Sequence, residues 1–234
     1  MNDILAHDVS IVVVGNLNPK IFSPSWLQVV GLIDQIDAEN AEVGVIHPQI
    51  TSFKVSQFSI QVQPNTFTIA TTEEPFITLA DWIEVIFGEA LNHTPLQQVG
   101  INYSVHFAAK SLEQRHALGR LLAPIGPWGE WGETLETQDI KQLGGLKSLS
   151  MMQTFVPGRT RGYRQVQLEP SVRQDIVERG VGIYMNVNDH FEVSTVEDGV
   201  NSKACVDWVR SYFDQSVQTS KSIVSHIQQL TASL

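Results

Sequence analysis

Arg159, Arg161 and Arg164 are the residues of this 234-residue chain whose type and spacing first point to chemistry. Three of its fifteen Lys and Arg residues fall in one short stretch of an otherwise acidic sequence. Guanidinium groups gathered at a hairpin tip would grip a phosphate or a carboxylate through paired N–H donors. A solvated loop would carry the same residues for solubility alone, and the sequence leaves both readings open. Trp128 and Trp131 stand in Gly126-Pro127-Trp128-Gly129-Glu130-Trp131-Gly132, a loop by its glycine and proline content. Exposed, the two indoles would anchor a partner; folded back, they would lid the core.

Asp189, His190 and Glu192, with Glu197 and Asp198 nearby, carry oxygen and imidazole groups suited to a hard metal or to acid–base work. Strand alternation sends Asp189 and His190 to opposite faces, which works against joint ligation. His106 shares a strand face with Asn102 and Ser104, a polar row for a pocket or for a solvated sheet face. Cys205, on the apolar side of a helix, reads as a small core residue. No Gly-x-Ser-x-Gly, phosphate loop, dinucleotide fingerprint or His-Glu-x-x-His is present, so no catalytic residue, metal or cofactor is assigned.

Composition narrows the classes. A formal charge of −10 repels a phosphate backbone at long range and argues against non-specific nucleic-acid binding. A single cysteine excludes an intramolecular disulfide and a multi-cysteine zinc site. The first residues lack a basic n-region, and every apolar run falls far short of the roughly 18 residues of a membrane span. The expectation is a cytoplasmic protein with no membrane partner.

The elements that position these residues follow from periodicity. Val99, Ile101, Tyr103, Val105 and Phe107 alternate with Gly100, Asn102, Ser104 and His106, a strand with one buried face. Upstream, Phe76, Leu79, Ile83, Ile86, Phe87 and Ala90 recur at helical steps, behind Thr78 and Asp81 as a capping box. Ser10 to Gly15 is a β-branched apolar run; Ser23-Pro24 opens a first helix reaching about Asp37. Strand text fills 43–71, with a parity change at Ser56-Gln57 and a turn at Pro64-Asn65. Strand, helix, strand, strand, helix, strand is the split βαβ or ferredoxin-like order of an α+β protein with an antiparallel sheet. A helix capped by Ser111 follows. Three strands, at about 147–156, 163–169 and 181–192, then form a second antiparallel lobe, and a long helix runs from Ser202 to about Leu230. The expected division is 1–125 as the ferredoxin-like lobe, 126–145 as a linker loop and 146–234 as the second lobe, the two sharing one domain if their cores merge.

Val99-Gly100-Ile101-Asn102-Tyr103 is similar to the Val-Gly-Leu-Arg-Tyr strand of a sporadically distributed, functionally uncharacterised bacterial protein family. The helix holding Trp82 and the C-terminal Phe213-Asp214-Gln215-Ser216 carry the same resemblance. It implies no activity and no catalytic residues; scattered occurrence points to bacterial conflict or immunity systems. The reading that results is a non-enzymatic protein-interaction subunit with Trp128 and Trp131 against a partner of basic surface, capable of homo-oligomer formation. Two others stand beside it: an enzyme or binding domain for a phosphorylated small molecule using Arg159, Arg161 and Arg164, and a viral or structural-assembly component.

Overall fold

A computed structural model describes residues 4–136, 139, 144–156, 161–173, 175, 180–192 and 202–234. Its centre is a pair of long strands, β1 (Ile4–Gly15) and β6 (Leu96–Ala108), antiparallel over nearly their whole length. Period-two patterning decides which side they bury. Val9, Ile11 and Val13 of β1 and Val99, Ile101, Tyr103, Val105 and Phe107 of β6 are all buried on one face.

Between β1 and β6 the chain makes a 3-10 turn (Pro19–Ile21), two short helices, four strands and a third helix. Ser23 caps α1 (Pro24–Val29), its hydroxyl accepting from Trp26 N at 3.2 Å, with Pro24 at the first helical position. The helix expected to continue to Asp37 stops here, because Gly31 takes the left-handed conformation (φ +80°) that ends helices. Asp34 then caps a separate α2 (Gln35–Glu39). Strands β2 (Glu42–His47), β3 (Ile50–Val55), β4 (Phe58–Gln63) and β5 (Thr66–Thr71) form a meander through three two-residue turns. The parity change at Ser56-Gln57 is the second of these turns, with Ser56 at φ +50°. The split βαβ order has two strands between its helices; here four lie between α2 and the next helix.

That helix, α3 (Thr78–Ile83), continues as a π-helical turn over Glu84–Ala90. The expected capping box is absent: Thr78 lies inside the helix, and its hydroxyl donates back to the Pro75 carbonyl at 2.9 Å. The segment returns the chain so that β5 and β6 run the same way on either side of β1. Ser111 caps α4 (Leu112–Leu122) through the Gln114 amide at 3.2 Å. A 3-10 turn then leads into the five-residue α5 (Gly129–Glu133).

The last third holds β7 (Leu149–Gln153), β8 (Tyr163–Pro170), β9 (Gly182–Glu192) and the 32-residue α6 (Ser202–Ser233). The expected separate three-stranded lobe is corrected here. Strand β9 pairs with β6 from Gln98↔Glu192 to Ala108↔Gly182, so all the strands belong to one antiparallel sheet ordered β2-β3-β4-β5-β1-β6-β9-β8-β7. The reason lies in the pattern of β9. Ile183, Met185 and Val187 continue the apolar face of β6, and only joining the sheet edge to edge buries both under the same helices.

Eleven of the twelve buried positions of α6 (Ser202, Cys205, Val206, Val209, Phe213, Ser216, Val217, Ser220, Val224, Gln228 and Thr231) step by three and four along its length, and the twelfth, Trp208, stacks on Phe191. They pack the helix onto β6, β9 and α3. No helix is long and apolar enough to cross a membrane among the described residues.

Candidate functional site

The two tryptophans come together on the outside of the molecule. Pro127 sets the 3-10 turn before α5, and Gly129, at φ +59°, redirects the chain so that Trp128 and Trp131 lie edge to face with ring centres 5.5 Å apart. Trp128 is 63% and Trp131 58% exposed. Gly132 is buried beneath them, where an added Cβ would sit 2.3 Å from the Ile125 carbonyl oxygen, so the turn closes tightly under the indoles. Exposed Glu130, Glu133 and Glu136 stand on the same segment, giving an aromatic pair with an acidic rim. Glu136 also reaches Arg120 Nε at 3.6 Å, tying the segment to α4.

The two described arginines differ in their surroundings. Arg159 lies outside the described residues, and Arg161 is exposed. Arg164 points into the core: its Nη2 donates to Asp189 Oδ2 at 3.0 Å, and its side chain is only 12% exposed. Asp189 is wholly buried and also accepts from the Ser216 hydroxyl of α6. Arg164 and Asp189 face each other in register across β8 and β9, on the face that carries Val166, Leu168, Met185 and Val187. Asp189 thus joins Arg164 of β8 to Ser216 of α6, which commits the Arg164 guanidinium inside the fold and not at the hairpin tip.

His190 points to the opposite face from Asp189, as alternation requires, and stacks on Tyr163 at 4.5 Å. Burial holds its imidazole pKa below the ordinary value, against an upward pull from Glu192 and Asp189. Glu197 and Asp198 lie outside the described residues. Among the described residues no three His, Cys, Asp or Glu side chains are grouped to hold a metal. Cys205 is buried, and its thiol is pushed up to about 12 by loss of water.

On that same outer face the polar row of β6 meets the polar row of β9. Asn186 donates to Asn102 at 3.3 Å and accepts from Ser104 at 3.1 Å, while His106 Nδ1 and the Ser171 hydroxyl lie 2.8 Å apart. Burial, followed by Arg173, lowers the His106 pKa. Most of the row is satisfied within itself, as an amide and hydroxyl lattice across two strands, while Asn188 Oδ1 is buried without a hydrogen-bond partner. Gly100 leaves room for Asn188, whose Oδ1 would lie 2.9 Å from an added Cβ.

Sequence reasoning passed over two further features. A groove of about 330 Å³ runs between β7 and α6, lined by Leu149, Met151, Val166, Ile223 and Ile227. A smaller cavity lies beneath α4. The signal for the second was Gly119 inside a helix, where glycine costs about 1 kcal/mol against alanine and is kept for close packing; an added Cβ there would meet Leu146 at 3.3 Å.

No protein-family model matches the chain, and no curated protein matches it. The fold defines an α+β protein with one nine-stranded antiparallel sheet and a long C-terminal helix.

Proposed function

We propose that the protein is an interaction subunit whose Trp128 and Trp131 seat on a second protein bearing a basic surface. One observation carries this reading: a pair of large indoles, each more than half exposed, held edge to face across a 3-10 turn and the short α5 and rimmed by Glu130, Glu133 and Glu136. Water around two exposed indoles is released on docking, and tryptophan is enriched among residues that dominate binding energy. The acidic rim and the formal charge of −10 steer a basic partner toward the pair and repel acidic ones.

The test is molar mass by light scattering on protein purified gently from its native cell. The expected result is a complex of fixed stoichiometry, heavier than the 26.0 kDa chain, whose second component has a basic surface. Trp128→Ala with Trp131→Ala returns the chain to its own mass, since each hot-spot indole accounts for about 2–4 kcal/mol of binding. A wild-type chain that elutes at 26.0 kDa, or a complex indifferent to the double substitution, overturns the proposal.

A further inference from the structure

The cavity beneath α4 is lined by Arg115, His116 and Arg120 of that helix, by Lys147 from the loop before β7, and by a wall of Leu118, Leu146, Leu168, Pro170 and Ile183. Its volume is about 230 Å³. Arg115, His116, Gly119 and Arg120 occupy one side of the helix because they are spaced at one and four residues. With no side chain at Gly119, Leu146 packs against the helix and the three basic groups surround open space.

Two backbone carbonyls hold the arginines in place. Arg115 Nη1 donates to the Gly180 carbonyl at 3.1 Å, and Arg120 Nη1 donates to the Gly144 carbonyl at 3.1 Å. Gly145 (φ +147°) gives the second guanidinium its place, since an added Cβ would come within 2.8 Å of Arg120 Nη1. Arg115 spends one of its five N–H groups in this way and Arg120 two, the second on the Leu135 carbonyl, with Glu136 3.6 Å from Arg120 Nε; both guanidiniums are fixed in plane with donors left over. Among the described residues Lys147 has no carboxylate at ion-pair distance. Glu169 is the one carboxylate in the lining. In a chain of formal charge −10, this is a concave site with a local excess of cations and an apolar wall.

We infer that this cavity binds a small phosphate monoester, its oxyanion between Arg115, Arg120 and Lys147 and its apolar body against Leu118, Leu168 and Ile183. Guanidinium planes held by backbone carbonyls are set for bidentate oxyanion recognition, and the Lys147 ammonium supplies a point charge. His116 reports occupancy. Burial, Arg115 and Arg120 all lower its pKa, with Glu113 opposing them, and an oxyanion in the cavity offsets the two arginines and raises it. The cavity accommodates one small molecule, not a polymer.

Phenyl phosphate is the probe, followed by calorimetry and by NMR titration of the His116 imidazole in the full chain. The expected result is saturable binding with Kd at or below about 1 mM, an upward shift of the His116 pKa, and weaker binding of inorganic phosphate, which lacks the apolar body. Lys147→Gln leaves the Arg115 and Arg120 contacts with backbone carbonyls intact, because Lys147 holds no ion-pair partner among the described residues, and weakens phenyl phosphate about tenfold or more. Absence of saturable binding by phenyl phosphate overturns the inference. So does binding that Lys147→Gln leaves unchanged, or inorganic phosphate binding as tightly as phenyl phosphate.

Discussion

Replacing Asp189 by alanine lowers the stability of the folded protein by about 3–5 kcal/mol. The carboxylate has no exposure to water, and it is the acceptor for both Arg164 and Ser216. Arginine stays protonated at any ordinary pH, so the variant must either bury an uncompensated guanidinium or pull β8 away from α6 to hydrate it. Arg164 Nε is already buried without a hydrogen-bond partner, which leaves that side chain little to fall back on. The pair itself contributes far less than its rupture costs, because forming it strips water from two charges. Asp189→Leu combined with Arg164→Leu is therefore much closer to the wild type than Asp189→Ala alone. Urea unfolding of the three proteins checks this through their midpoints. Equal losses in the single and the double variant would show that the pair is not what holds this region together.

Phe67→Ala costs a similar amount, about 3–5 kcal/mol, by a different route. Phe67 of β5 packs on Phe22 at 5.4 Å and on Phe87, in the π-helical turn, at 5.3 Å. All three rings are essentially without exposure. Truncation leaves a void between neighbours on two other segments, neither free to collapse into it. For a chain of this size the melting temperature falls by about 6–20 °C. A loss below about 1 kcal/mol would mean that the ring cluster is looser than its geometry.

The parts of the fold that follow from local chemistry were readable from the residues. Period two across Val99 to Phe107 placed β6, the Ser23-Pro24 and Ser111 caps placed α1 and α4, and the three-and-four stepping after Ser202 placed α6. What was not readable is pairing at long range. Nothing local in Tyr184 or Asn186 states that they lie beside Ser104, about 80 residues earlier, so β7, β8 and β9 read as a lobe of their own. Gly31 ended the first helix early because its left-handed turn outweighs the apolar period carried on by Ile33.

Arg164 is the instructive miss at the candidate site. Its neighbours Arg159 and Arg161 made a surface cluster the natural reading, yet it shares strand parity with Val166 and Leu168. Asp189 likewise shares parity with Met185 and Val187. One positive and one negative side chain on two apolar parities is the signature of an internal ion pair. The exposure of Trp128 and Trp131 had no such sign, because a glycine-rich segment can fold either way.

The central position of β1 and β6 also orders the molecule in time. Each hydrogen-bonds to a strand on both sides, β5 and β6 for β1, β1 and β9 for β6, so neither has an edge from which it can fray. Their amides open only when the whole sheet opens. Deuterium reaches Val9 to Val13 and Val99 to Phe107 last, after β2 and β7 have exchanged; early labelling of those central amides would contradict the shared sheet. The chain's two halves, though contiguous in sequence, come apart as one event, because the seam between them runs through the slowest-opening strands it has.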